Sequence, residues 1–218
     1  MTQPTLKLFH FPGACSRVAV CALEMAKLTY ELELVNLAKG EQGEPHYKDI
    51  SPLGKVPALM IDGEIMLENG AILTFIDELR PEAGTLPADR SARMRAEAVG
   101  GMSFCGGTLH PQMRGLANPQ RLTAGDGEPV REKSRELAKK SFAYAEQRLA
   151  SKGWWLGELS IVDVYLDWAF SIARKFGFDI SAYPILRALE GRLMGGCEAY
   201  RNMQDEERRS SVKLGLLT

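Results

Sequence analysis

The segment with the clearest chemical potential is F-P-G-A-C-S at residues 11–16, which stands between a predicted strand and a predicted helix. This position places the thiol of Cys15 at or beside a helix N-terminus. Unpaired N–H groups and the positive end of the helix dipole favour a thiolate there and raise its reactivity. A free cysteine is also commonly just a small buried hydrophobe, so a packing role for Cys15 stays open.

The other cysteines, Cys21, Cys105 and Cys197, lack any such feature in the sequence, and we expect them to be packing residues. Four scattered cysteines without a C-x-x-C pair also argue against a disulfide framework and against structural zinc. We therefore expect reduced thiols and no metal site.

Two further segments combine a special backbone position with polar groups. In G-K-V-P at residues 54–57, the proline opens a strand, where its missing N–H is tolerated. Only about one X-Pro bond in twenty is cis in folded proteins, so the sequence leaves the Val56-Pro57 geometry open.

Glu68 and Asn69 follow a strand and open a helix. Two interpretations of this pair are open. In the structural one, Asn69 caps the helix and Glu68 is a solvated charge. In the functional one, the backbone N–H groups at this helix end hold a ligand carboxylate.

The elements that position these residues fall into two regions. Strand, helix and strand patterns at 5–9, 16–27 and 30–34 are followed by an irregular stretch at 44–50. Strands at 57–61 and 64–67, joined by the turn Asp62-Gly63, then lead into a helix at 71–79. This β-α-β, β-β-α order predicts an α/β domain over residues 1–80.

Beyond a Pro- and Gly-containing linker at 81–90, the pattern becomes helical almost throughout. We predict an all-helical domain over residues 91–218, with helices at 91–116, 129–150, 161–176 and 184–195 and a loop at 118–128. Ser160 and Asp163 have the spacing of a capping box at the start of the third of these helices.

The composition is that of an ordinary globular protein, which we expect to stay in the cytoplasm. Of 218 residues, 45% are hydrophobic and 25% charged, and the formal net charge is −1. The absence of a basic excess disfavours a nucleic-acid partner. No block of like charge suggests a membrane surface, and no segment approaches the roughly 20 apolar residues of a membrane span.

The order and spacing of P-G-A-C-S, G-K-V-P and L-E-N-G-A-I resemble the cytosolic glutathione transferases across essentially the whole chain. The resemblance implies a thioredoxin-like N-terminal domain and a helical C-terminal domain. At the end of the first strand, where tyrosine-type members carry the catalytic hydroxyl, this chain has His10 and Phe11. The segment from Pro12 to Ser16 instead looks like the bacterial beta class, whose cysteine lies beside the glutathione sulfur.

The resemblance also implies a set of site residues. His110, which follows Phe104 by six positions, would face Cys15 across the domain interface, and both would be catalytic. Asn69 departs from the usual Ser or Gly, and Ser103 stands where the family often has an Asn. The implied glutathione-binding residues are Cys15, Lys39, Val56, Pro57, Glu68, Asn69 and Ser103, and the implied electrophile pocket comprises Phe11, Phe104, His110 and Trp168.

The function that follows is conjugation of glutathione thiolate to hydrophobic electrophiles, with glutathione as co-substrate and a homodimer as the expected assembly. A second hypothesis is glutathione-dependent thiol-disulfide reduction, reductive dehalogenation or ether cleavage, in which Cys15 is itself the nucleophile. A third is a non-catalytic binding protein that kept the fold, since a fold alone does not establish activity.

Overall fold

The alternating segments near the start of the chain form a four-stranded mixed sheet in the computed structural model, which describes residues 3–217. The strand order is β2-β1-β3-β4. β1 runs parallel to β2 and antiparallel to β3, with Leu8 opposite both Leu32 and Leu59, and β3 is antiparallel to β4. The strands are β1 Leu6–His10, β2 Glu31–Leu34, β3 Ala58–Ile61 and β4 Glu64–Leu67.

Three helices complete the predicted α/β order. α1 (Arg17–Met25) makes the crossover that a parallel β1-β2 pair requires, and α3 (Asn69–Leu79) follows β4. The stretch at 44–50, expected to be irregular, contains a one-turn helix, α2 (Pro45–Lys48). Pro45 at its first position suits a helix start, because its missing N–H would have no partner there anyway.

The helical region contains α4 (Ala92–Ser103), α5 (His110–Ala117), α6 (Glu128–Lys152), α7 (Ile161–Lys175) and α8 (Pro184–Gly196). The predicted single helix at 91–116 is interrupted by a π-helical segment, Phe104–Leu109, so α4 and α5 form one continuous rod with a wider turn. A thioredoxin-like domain followed by helices is thereby confirmed as the fold class. Within the described residues, no helix combines the length and apolarity needed to cross a bilayer.

A last helix, α9 (Glu198–Lys213), lies beyond the predicted elements. It packs on α1 and buries only a few side chains, among them Tyr200 and Met203, while most of its residues are polar. The chain consequently divides into one unit that runs to Thr85 and resumes at Gly196, and a second unit, Leu86–Gly195. The sequence had grouped the segment from Gly196 onward with the helical region.

The predicted capping box forms at the start of α7. Ser160 donates its backbone N–H and its hydroxyl to Asp163 Oδ2, each at 2.9 Å. Asp163 Oδ1 accepts a third bond from the backbone N–H of Trp155 at 2.8 Å, so one buried carboxylate satisfies both the helix start and the preceding loop. Burial raises the pKa of Asp163 to about 6.

We predict that Asp163→Ala lowers the free energy of unfolding by about 2–4 kcal/mol, because the buried N–H groups of Trp155 and Ser160 lose their acceptor. Urea unfolding followed by tryptophan fluorescence measures the effect. The matched control is Asp205→Ala, which removes an exposed carboxylate from α9 and should change stability by less than about 0.5 kcal/mol.

The same carboxyl group predicts a pH dependence. Because its pKa is raised in the folded protein, the folded state binds the proton more tightly than the unfolded chain does. The contribution of Asp163 is therefore largest below about pH 4 and declines as the pH rises through about 6. The stability difference between the wild type and Asp163→Ala should be larger at about pH 4 than at about pH 7; a larger difference at pH 7 would contradict this assignment.

Candidate functional site

The loop after β1 holds Cys15 in a fixed position. Turn bonds join the Ala14 N–H to the Phe11 carbonyl at 3.1 Å and the Arg17 N–H to the Ala14 carbonyl at 3.2 Å. Cys15 directly precedes Ser16, the N-cap of α1, as the sequence indicated. Cys15 is 6% exposed as a whole residue, and its Sγ donates toward the carbonyl of Val56 at 3.7 Å. Two residues 41 positions apart that were expected in one site are thus in contact.

Ser16 ties this loop to the end of β1. Its Oγ lies 2.8 Å from Nδ1 of His10 and accepts a bond from the Phe11 N–H at 3.3 Å. Both His10 and Ser16 are fully buried. Phe11 is half-buried and packs against a core cluster that includes Phe9 and Tyr47. The part of Phe11 in an electrophile pocket stays a prediction.

Glu207 of α9 supplies the acceptor that the loop needs at Gly13. The Gly13 N–H donates to Glu207 Oε2 at 2.6 Å, and Glu207 Oε1 lies 3.0 Å from Nε2 of His10. Gly13 has φ of +81°, a left-handed conformation that glycine adopts without a side-chain clash. Glu207 stands 194 positions from Gly13, and no local spacing in the sequence could have indicated the pair.

The segment before β3 presents Val56 beside the thiol. The Val56-Pro57 peptide bond is cis, which answers the question the sequence left open. The Lys55 carbonyl accepts bonds from the hydroxyls of Tyr47 at 2.8 Å and Ser51 at 2.9 Å. Gly54 has φ of +58°, and a Cβ there would lie 2.6 Å from the carbonyl oxygen of Gln42. The backbone next to Val56 is therefore fixed by hydrogen bonds to the Lys55 carbonyl and by the close approach of the Gln42 backbone to Gly54.

The start of α3 completes the cluster. Asn69 is buried, and its Nδ2 donates to the Cys15 carbonyl at 3.0 Å. Its Oδ1 is also buried but accepts no hydrogen bond from any residue between 3 and 217. Glu68, the N-cap of α3, is exposed and has φ of 70°, a region that non-glycine residues seldom adopt and that is concentrated at ligand sites. The predicted capping role of Asn69 is wrong, because Glu68 takes the N-cap position and the Asn69 side chain bonds to Cys15. The ligand-binding interpretation of the pair stays a prediction.

Lys39 lies on an exposed turn after β2, where its backbone N–H donates to the Asn36 carbonyl at 3.1 Å. Its part in binding a ligand stays a prediction. The first unit therefore brings together Cys15, Val56 and Asn69, with Pro57 and Glu68 adjacent to them in the chain.

In the second unit, Ser103 and Phe104 line a cavity of about 460 Å³ where α4 gives way to the π-helical segment. The Phe104 ring stacks on Trp155 at a centroid distance of 5.0 Å and meets Tyr144 edge-on at 5.4 Å. Tyr144 and Trp155, which also line the cavity, were missed in the sequence because they come from α6 and the loop before α7.

His110 and Trp168 form a separate aromatic contact. His110 is the first residue of α5, and its ring meets that of Trp168 edge-on at 4.7 Å. Trp168 is 4% exposed, so most of its surface packs within the helical core. His110 is half-buried. The predicted juxtaposition of His110 with Cys15 stays a prediction.

Comparison with known proteins identifies the family. The model described as glutathione S-transferase, N-terminal domain, matches residues 4–78. A maleylacetoacetate isomerase from Pseudomonas aeruginosa is 31% identical over 188 residues, which is 84% of this chain and 88% of the relative. The chain belongs to the glutathione S-transferase family.

Solved structures of the family agree with this assignment over most of the chain. The beta-class enzyme of Sphingomonas chungbukensis is 30% identical, with a TM-score of 0.80 over 92% of this transferase and 98% of its own chain. A sphingomonad glutathione S-transferase complexed with glutathione is 31% identical, with the same TM-score and coverage. These similarities confirm the resemblance to bacterial glutathione transferases, including the beta class.

For this transferase we predict that Glu207→Ala loosens the loop that carries Cys15, because the Gly13 N–H loses a charge-assisted bond at 2.6 Å. The expected loss in the free energy of unfolding is about 1.5–3 kcal/mol. Hydrogen exchange at the amides of residues 11–16 should also accelerate.

Arg208→Ala is the matched control, since Arg208 is the next residue of α9 and is exposed. Its exchange pattern at residues 11–16 should equal that of the wild type. Equal protection of those amides in Glu207→Ala and the wild type would mean that the bond to Gly13 does not hold the loop.

Proposed function

We propose that this transferase conjugates the thiolate of glutathione to hydrophobic electrophiles, with Cys15 beside the glutathione sulfur. The observation that carries the proposal is the cluster of Cys15, Val56 and Asn69, joined by bonds of 3.7 Å and 3.0 Å around an unsatisfied buried acceptor. A buried amide oxygen without a donor is unfavourable, and a ligand that donates to it relieves the penalty.

Glutathione fits the donors and acceptors of this cluster. Its α-ammonium group can donate to Asn69 Oδ1 and to the carboxylate of Glu68, while N–H groups at the start of α3 favour its α-carboxylate. The Val56 main chain would pair with the cysteinyl unit. Lys39 and Ser103 would add polar contacts, as the family resemblance implies.

The chemistry requires glutathione thiolate at neutral pH, when a free thiol with pKa near 8.5 is only a few per cent ionised. The N-terminus of α1, which begins directly after Ser16, favours negative charge at this place. The thiolate then attacks the electrophilic carbon, the sulfur–carbon bond forms, and the leaving group departs with its electron pair.

The surroundings of Cys15 favour a supporting role over that of nucleophile. Its residue surface is 6% exposed and its thiol donates toward the Val56 carbonyl. A thiol held in this way can stabilise a neighbouring thiolate by donating to it, whereas attack on a bulky disulfide needs an accessible sulfur.

The electrophile would bind against aromatic side chains that the resemblance assigns to its pocket, namely Phe11, Phe104, His110 and Trp168. A homodimer in the cytoplasm is the assembly and location that we propose.

A second candidate is glutathione-dependent isomerisation, favoured by the 31% identical relative named maleylacetoacetate isomerase. In that reaction glutathione is regenerated, whereas conjugation consumes one thiol for each product formed. Titration of free thiol during turnover therefore separates the two. Purified enzyme should consume thiol with a chlorinated nitrobenzene; turnover of maleylacetoacetate at constant thiol, without conjugation, would favour the isomerase.

We predict that Glu68→Ala weakens glutathione binding tenfold or more, the scale of about 1.4 kcal/mol that loss of a charge-assisted bond implies. Isothermal calorimetry measures the dissociation constant. Glu64→Ala, which removes another exposed carboxylate at the start of β4, is the matched control and should bind as the wild type does. Equal affinity of Glu68→Ala and the control would remove Glu68 from the site.

The Cys15→Ala variant distinguishes the two roles of the thiol. If Cys15 only steadies glutathione thiolate, conjugation of a chlorinated nitrobenzene survives in part, while reduction of a glutathione mixed disulfide is lost. If Cys15 is the nucleophile in every turnover, both activities vanish. We expect partial survival of conjugation. Cys105→Ala, at a fully buried position in the second unit, controls for the loss of a thiol.

A further inference from the structure

Two buried hydroxyl groups hold the carbonyl of Lys55, one peptide before the cis bond. Tyr47 donates to this carbonyl at 2.8 Å and Ser51 at 2.9 Å. Both residues are 1% exposed. Ser51 Oγ also accepts the Lys55 N–H at 3.1 Å, so both backbone polar groups of Lys55 are paired. Neither Tyr47 nor Ser51 belongs to the site that the sequence predicted.

The fold fixes both hydroxyl groups in place. Tyr47 lies in α2, and its ring packs edge-on against Phe9 of β1 at a centroid distance of 5.8 Å. The Ser51 N–H donates to the Tyr47 carbonyl at 2.7 Å, and the Gly54 N–H donates to the Ser51 carbonyl at 2.7 Å. This hydrogen-bonded turn places Ser51 beside Lys55, four residues further along the chain.

Both hydroxyl groups remain donors near neutral pH. Burial raises the pKa of Tyr47, so its phenol keeps the proton. The hydroxyl of Ser51 does not ionise in this range either. The two bonds to the Lys55 carbonyl are therefore retained under the conditions in which glutathione would bind.

The two bonds also set the direction of the next N–H group. The Lys55 carbonyl and the Val56 N–H belong to one peptide unit, which is trans, in contrast to the Val56-Pro57 bond. In a planar trans peptide these two groups point in opposite directions. Because the carbonyl is held toward Tyr47 and Ser51, the Val56 N–H is turned away from them.

The Val56 N–H is a donor that the protein leaves unpaired. It donates to no residue between 3 and 217. Val56 is 8% exposed, and its carbonyl accepts from the Cys15 thiol at 3.7 Å. Backbone N–H groups in such shielded positions are nearly always paired in folded proteins. This donor is thus suited to an acceptor that a ligand brings beside Cys15.

We propose that Tyr47 and Ser51 are positioning residues of the glutathione site, which direct the Val56 N–H at a carbonyl of the bound tripeptide. The inference rests on the proposed binding of glutathione and adds two residues to it. Both hydroxyls act through the Lys55 peptide. A peptide that is already oriented loses little freedom on binding, whereas a peptide that can rotate must first be ordered, which weakens the affinity.

Calorimetric titration of the whole chain with glutathione tests the proposal. Tyr47→Phe removes one hydroxyl and keeps the ring that packs on Phe9, and Ser51→Ala removes the other hydroxyl. Each variant should raise the dissociation constant about threefold to tenfold, the effect expected when one hydrogen bond no longer orients the peptide.

Tyr30→Phe is the matched control. The hydroxyl of Tyr30 donates to Glu24 at 2.9 Å in a partly buried position of the same unit, so this variant loses a comparable bond at a distance from Lys55 in the chain. Its urea stability should fall as that of Tyr47→Phe does, because each loses the partner of one hydroxyl. Its dissociation constant for glutathione should equal that of the wild type.

The Val56 amide resonance in a ¹H–¹⁵N spectrum supplies a readout that a merely structural role would not move. Saturating glutathione should shift it downfield in the wild type and in Tyr30→Phe, and by less in Tyr47→Phe and Ser51→Ala. Wild-type affinity in either of the latter two variants, or a Val56 resonance that glutathione leaves in place, would overturn this proposal alone. A wild-type chain that binds no glutathione would overturn the proposed function, and this inference with it.

Discussion

The loop between β1 and α1 has to present a thiol while its own backbone polar groups find hydrogen-bond partners. The rest of the candidate site depends on which residues supply those partners. Backbone groups of such a loop have no sheet or helix partner, so side chains from elsewhere must supply acceptors and donors. Glu207 accepts the Gly13 N–H, Ser16 accepts the Phe11 N–H, and Asn69 donates to the Cys15 carbonyl. Two elements distant in sequence, α3 and α9, thus act together with Ser16 of the loop itself to determine where the thiol lies.

This arrangement makes α9 part of the first unit in a physical sense. Although most of its surface is polar, its few buried residues lie against α1, and its Glu207 reaches the end of β1. A single helix near the end of the chain therefore supports the loop that carries Cys15.

Much of the site could be predicted from local patterns. A cysteine ahead of a helix, a proline opening a strand and a Glu-Asn pair at a helix start each follow from neighbouring residues, and the structure places Cys15, Val56 and Asn69 in contact. The capping box at Ser160 and Asp163 was predicted for the same reason, since its partners are three residues apart. The added bond from Trp155 to Asp163, by contrast, depends on how a loop folds back.

The sequence by itself determined the β-α-β, β-β-α order of the first region, the helix start after Ser160 and the positions of the residues that could do chemistry, because hydrophobic periodicity and helix capping act over a few residues. Only the tertiary structure decided which of those residues meet. The Gly13–Glu207 bond joins segments from opposite ends of the chain. The unsatisfied oxygen of Asn69 likewise depends on which donors surround it once the chain is packed. The Gly13–Glu207 bond forms because α9 is buried against α1. Burial is a property of the packed chain, and no local spacing in the sequence indicates it.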